Sequence, residues 1–243
     1  MNIFRRERFD DVAKVRGVGE FKANYLTTGS AKIDKLLGKG IPVGFVTNIY
    51  GPPGSGKTNL CLAAAARMNK KDKVLFIDTE GGFSPERLKQ VCGGALPKNV
   101  FVKQINDFDE QGRVVRGLCK ILDDKFKLVI IDSAVSLYRL RVENDRKKVL
   151  EIARELGREL AHLSKIAREK QVAVVISNQV YSSFNGKEEI VPVGGDTLMY
   201  WSKIILELRK ENEKGKRSII IRKHPHKPEG IGEKFEIVRR GIR

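Results

Sequence analysis

The chain has 243 residues, 41 % of them hydrophobic, with 47 Lys and Arg against 30 Asp and Glu, a formal net charge of +17. That length fits one sizeable α/β domain with a short appendage, and no apolar run approaches the roughly 18 residues needed to cross a bilayer. The start, Met1-Asn2-Ile3-Phe4-Arg5-Arg6, lacks an apolar secretory core, and three cysteines without metal-ligand spacing (Cys61, Cys92, Cys119) suit a reducing, cytoplasmic setting.

The cationic excess favours a polyanionic partner, nucleic acid above all, over a plain Lys-rich surface. It is concentrated late: from Lys203 onward 13 Lys or Arg stand against 6 Asp or Glu. Residues 1–25 read as a short basic extension ahead of a core at 26–243. Val15-Arg16-Gly17-Val18-Gly19, followed by Ala23 and Leu26, fits either a helix-hairpin-helix-like element or a basic arm. Short β-branched runs then alternate with helical patterns, the signature of a mostly parallel sheet flanked by helices. The predicted strands are Val43–Tyr50, Val74–Asp78, Val100–Val102, Leu128–Asp132 and Val172–Ser177. The predicted helices are Lys57–Met68, Pro85–Cys92, Asp109–Leu122 and Asn144–Lys170. The last carries an apolar stripe at Val149, Ile152, Ala153, Leu156, Leu160, Leu163 and Ala167. After Gly195 the pattern predicts strands without helices, at Ile204–Leu208, Ser218–Arg222 and Phe235–Val238, with a hairpin turn at Glu211–Gly215.

The strand ending at Tyr50 runs into Gly51-Pro52-Pro53-Gly54-Ser55-Gly56-Lys57-Thr58, and a strongly helical segment follows. This is a complete phosphate-binding loop. Its glycines let backbone N–H groups turn inward, and the helix N-terminus adds positive potential. Lys57 is positioned to reach the β- and γ-phosphates and Thr58 to hold Mg²⁺, so the expected ligand is a nucleoside triphosphate such as ATP. Leu128-Val129-Ile130-Ile131-Asp132 is a buried strand delivering a carboxylate to the same sheet edge, on the metal side. Glu80, just past Asp78 and Thr79, is a candidate for polarising an attacking water, or else a helix-entry or salt-bridge residue. Gln179 is a neutral amide at the next strand tip, suited to sensing a γ-phosphate.

This ordered set resembles the RecA/RadA/Rad51 recombinase family. It carries the P-loop, Asp78-Thr79-Glu80, a strand ending in Asp132-Ser133, Ser177-Asn178-Gln179-Val180 and Pro192-Val193-Gly194-Gly195 in order, over roughly Leu26 to Gly241. Further marks of an archaeal paralog are Leu26-Thr27-Thr28-Gly29-Ser30, the run from Gly81 to Arg87, Trp201-Ser202-Lys203, and Lys223-His224 before Pro228-Glu229-Gly230. The resemblance implies a RecA-like P-loop NTPase core with C-terminal antiparallel strands, Glu80 as the catalytic glutamate, Asp132 as the Mg²⁺-side carboxylate and Gln179 as the γ-phosphate sensor. It implies that Arg87 stacks on adenine, and that two DNA-facing loops lie near Leu137–Arg146 and Val180–Gly195. The first carries Tyr138, Arg139 and Arg141. The second carries Tyr181, Phe184 and Lys187, though Glu188-Glu189 opposes phosphate there and a plain connection is the alternative. Aromatic and cationic side chains together suit single-stranded DNA.

The chain also departs from the family pattern. Phe4, Phe9 and Phe21 are followed three residues later by Glu7, Val12 and Asn24, so the Phe-x-x-Ala tether of filament-forming members is missing. Lys223 stands where those members have an aspartate over the neighbour's ATP, and Tyr200 where they have a coupling histidine. The resemblance therefore implies an accessory DNA repair and recombination protein that binds ATP and single-stranded DNA, with weak ATPase activity and no strand exchange of its own. Its implied partners are the main archaeal recombinase, a Holliday-junction nuclease or a DNA polymerase, with weak self-association. An active strand-exchange recombinase and an ATP-switched regulatory module remain the alternatives.

Overall fold

The computed structural model describes residues 24–141, 146–182 and 190–243; residues 1–23 and the expectations placed on them lie outside it. A short ladder of β1 (Tyr25–Leu26) with β2 (Ile41–Pro42) flanks helix α1 (Ala31–Leu36). The alternating core follows, as β3 (Val46–Tyr50), α2 (Lys57–Ala66), β4 (Lys73–Asp78), α3 (Pro85–Val91), β5 (Val100–Gln104), α4 (Phe108–Ile121) and β6 (Phe126–Asp132). Then come α5 (Ser136–Arg141), α6 (Arg146–Lys170), β7 (Ala173–Asn178), a small hairpin of β8 (Val180–Ser182) and β9 (Ile190–Pro192), and α7 (Gly195–Trp201). The chain finishes through β10 (Ile204–Lys210), β11 (Lys216–Lys223), β12 (Gly232–Val238) and β13 (Gly241–Ile242).

The main sheet has nine strands in the order β13-β12-β11-β10-β3-β7-β6-β4-β5. Strands β10, β3, β7, β6, β4 and β5 run parallel, and β11 to β13 add antiparallel ladders at one edge. The central strands are buried along their length, as a sheet covered on both faces requires. Helices α4 to α7 close one face over Val129, Ile131, Val174 and Ile176. On the other face α1 to α3 pack over Ile49, Phe76, Leu128 and Ile130. Alternate residues of one strand thus feed opposite cores. The stripe on α6 does what its spacing predicts, burying Ile152, Leu156, Leu160, Leu163 and Ala167.

Two sequence expectations need correction. The segment after Gly195 is not strands alone, because α7 occupies Gly195–Trp201 and buries Leu198. About two turns with one core anchor give little helical periodicity to read. The expected loop near Leu137–Arg146 is helical from Ser136 to Arg141, where Leu137 and Tyr138 are buried, and helical again from Arg146. The second expected loop, Val180–Gly195, opens and closes with the β8–β9 ladder, which sets Tyr181 opposite Val191.

Candidate nucleotide and nucleic-acid site

Parallel pairing brings the C-terminal ends of β3, β7, β6 and β4 to one edge of the sheet, with Tyr50 level with Asn178 and Asp78 level with Asp132. The predicted catalytic and binding residues come from the turns that leave those ends. The phosphate-binding loop follows β3 so tightly that only glycine is tolerated at its entrance. A Cβ on Gly51 would sit 2.3 Å from the carbonyl oxygen of Leu208. Gly56 has φ +106° and packs against Ile237, which docks the start of α2 onto β12. Ser55 is wholly buried, and its hydroxyl has no hydrogen-bond partner among the described residues.

Lys57 lies at the first position of α2, its ammonium donating to the carbonyls of Gly51 (2.8 Å) and Pro52 (3.2 Å). Burial lowers its pKa and Lys210 acts in the same direction, while the Glu80 and Asp132 carboxylates oppose the shift. Asp132 is 5 % exposed and accepts hydrogen bonds from the hydroxyls of Ser177 and Thr58. Burial raises its carboxyl pKa against those two bonds, so a nearby cation would strongly favour the ionised form. Thr58 and Asp132 supply hard oxygens side by side, a donor set that fits Mg²⁺ completed by phosphate and water. The glycine cradle, the orphaned Ser55 hydroxyl and Lys57 likewise fit the phosphates of ATP.

The turn carrying Glu80 is organised by a residue that motif reading left as a strand end. The Asp78 carboxylate accepts the N–H groups of Glu80 (3.2 Å), Gly82 (3.1 Å) and Phe83 (3.0 Å). Thr79 ties this tip to the next one, donating to the Ser133 carbonyl at 2.7 Å and accepting the Ser133 N–H at 2.9 Å. From that turn Glu80 meets Gln179, whose amide nitrogen donates to the Glu80 carboxylate at 2.7 Å. The amide oxygen of the same Gln179 accepts from Arg139 on α5. One side-chain chain therefore links Glu80 and Gln179, from two strand-end turns, with Arg139 on α5.

Arg87, on α3, uses four of its five in-plane donors. It bonds Asn59 at 2.8 Å, Gln90 at 3.2 Å and the carbonyls of Val238 (2.8 Å) and Arg239 (3.0 Å). Those bonds fix the guanidinium plane without using its face. Arg141 is paired with Asp109 of α4, which raises its pKa, so this cation is already engaged. Tyr181 is described through its backbone alone, while Phe184 and Lys187 lie outside the described residues. Sequence reading also missed Lys210 and Arg217, which face each other beside the turn of the β10–β11 hairpin. Arg217 donates to the Gly54 carbonyl at 3.0 Å, and a Cβ on Gly54 would meet Lys210 Nζ at 3.3 Å. Only their placement beside the phosphate-binding loop marks them. Among the described residues, no helix is long and apolar enough to cross a membrane.

A Rad51 family model matches residues 22–243. DNA repair and recombination protein RadB of Methanosphaera stadtmanae is 40 % identical over 235 residues, covering 94 % of this chain and 100 % of that protein. Its counterpart in Archaeoglobus fulgidus is 43 % identical over 219 residues, with 89 % and 97 % covered. A crystal structure of the RadB recombinase superimposes with a TM-score of 0.76 at 37 % identity, covering 89 % of this chain and 98 % of that one. Sequence, family model and three-dimensional fold agree over nearly the whole length, and the chain belongs to the Rad51 family, on its RadB branch.

Proposed function

We propose that the protein is an accessory recombination ATPase that holds ATP at Gly51–Thr58 and single-stranded DNA at the basic elements beyond β6 and β7. The observation that carries this reading is the Gln179 amide, bonded on one side to Glu80 and on the other to Arg139. A group that meets both the hydrolytic carboxylate and a candidate DNA cation gives each ligand a way to sense the other. In the proposed site Lys57 exchanges its carbonyl partners for phosphate oxygens, and Arg87 offers its fixed guanidinium face to adenine. Bound Mg²⁺ supplies charge neutralisation on the phosphates. Glu80 orients the attacking water, and its bond to Gln179 restrains it from doing so, which supports slow turnover.

The test combines nucleotide binding, hydrolysis and single-stranded DNA binding at several salt concentrations. Lys57→Ala is expected to abolish ATP binding, whereas Glu80→Gln keeps binding and loses turnover. Identical DNA affinity with and without ATP in the wild-type chain would overturn the coupled reading. If Glu80→Gln retains full ATP-sensitive DNA binding and partner recruitment, the chain is an ATP-switched module in which hydrolysis serves only for resetting.

A further inference from the structure

Strands β10 and β11 set Lys210 directly opposite Arg217 in their antiparallel register. Two like charges in that relation repel each other and weaken the pairing. Strand parity sends both side chains to one face. Leu206, Leu208 and Lys210 alternate onto the α2 side of the sheet, while Glu207 and Arg209 pair on the other. Because Leu208 lies against Gly51, the next residue on that face, Lys210, arrives over the crest of the phosphate-binding loop.

Several cations around Lys210 are already held by carboxylates. Arg209 and Arg222 are held by Glu207, Lys216 by Glu213, Lys234 by Glu211 and Arg243 by Glu236. Lys210 has no carboxylate partner among the described residues, and its sequence neighbour Glu211 is turned to Lys234. It stands close enough to Lys57 to act on that ammonium, while Arg217 anchors the hairpin to the Gly54 carbonyl. Two lysines thus flank the loop crest, one from α2 and one from the hairpin, and the wholly buried Ser55 hydroxyl between Gly54 and Gly56 lacks a partner among the described residues.

We propose that Lys210 is a phosphate-binding residue of the nucleotide site, delivered by the β10–β11 hairpin of the same chain and positioned by Arg217. Its ligand is the polyphosphate of a nucleoside triphosphate, and the proposal rests on the nucleotide reading above. A phosphate group there removes both repulsions, Lys210 against Lys57 and Lys210 against Arg217, and gains a charge-assisted hydrogen bond.

The test measures MgATP affinity and ATP-induced thermal stabilisation of the full chain for wild type, Lys210→Ala, Lys210→Gln and Lys210→Arg. Lys210→Ala and Lys210→Gln are expected to weaken ATP about five- to tenfold, and Lys210→Arg to restore most of it. Without nucleotide, Lys210→Ala should melt no lower than wild type, since a repulsion has been removed. Single-stranded DNA affinity without nucleotide should stay unchanged. ATP affinity within twofold of wild type for both neutral variants takes down this inference alone, as does a loss confined to DNA binding. Failure of the wild-type chain to bind ATP takes down the nucleotide reading with it.

Discussion

Glu159, near the middle of α6, is 3 % exposed and accepts one hydrogen bond, from Gln111 Nε2 at 2.8 Å, while its other oxygen has no partner among the described residues. The same Gln111 nitrogen also donates to the Ala134 carbonyl at 3.2 Å, so this buried pair supports the turn that follows Asp132. Burial pushes the Glu159 carboxyl up to about 7 from an ordinary 4.5; the Gln111 bond and Arg116 oppose the shift, and Glu155 adds to it. The folded state therefore prefers the protonated acid. The contribution to stability is fully present below the unfolded value and is lost as pH rises through the folded one. At roughly 1.4 kcal/mol per unit the loss is about 3 kcal/mol. Glu159→Gln, which keeps the acceptor for Gln111 and cannot ionise, should melt higher than wild type at pH 8 and level with it near pH 4.5. Equal melting differences at both pH values would remove ionisation as the cause.

At the scale of elements, the junction between β3 and α2 depends on close backbone approach. Gly51→Ala drives a methyl into the Leu208 carbonyl and should cost about 1–3 kcal/mol, read as a lower denaturation midpoint. Gly81→Ala, with nothing within 4 Å of the added carbon but φ +67°, should cost about 1 kcal/mol from backbone strain alone. The ion pair between α4 and α5 belongs to this scale as well. Asp109 holds Arg141, so Asp109→Asn should release that cation and strengthen single-stranded DNA binding. It should also steepen the dependence of affinity on salt by up to about one counterion. Weaker or unchanged DNA affinity in this variant would place Arg141 away from the nucleic acid. The strands and longer helices were legible because their cues are local: β-branched runs for β4 and β6, and 3- and 4-residue spacing on α6. Helices α1 (six residues), α5 (six) and α7 (seven) escaped because one or two turns display little period and none has the Ser-Pro start that marks the equally short α3; packing on the core selects them.

At the scale of the molecule, parallel strands bring the candidate site residues to one edge, while the antiparallel extension folds back against the loop at Gly51–Thr58. The sequence by itself determined the loop, the ordered residues Glu80, Asp132 and Gln179, and the excess of cations toward the C-terminus, because each is written in contiguous residues. It also carried enough of the family pattern to predict the fold. Only the tertiary structure decided which side chains meet. Asp78 turns out to hold the Glu80 turn, Gln179 to bridge Glu80 and Arg139, and Lys210 to arrive at Gly54 from 156 positions away. Such contacts depend on strand order and register, which bring distant residues level with one another, and no local spacing records a register.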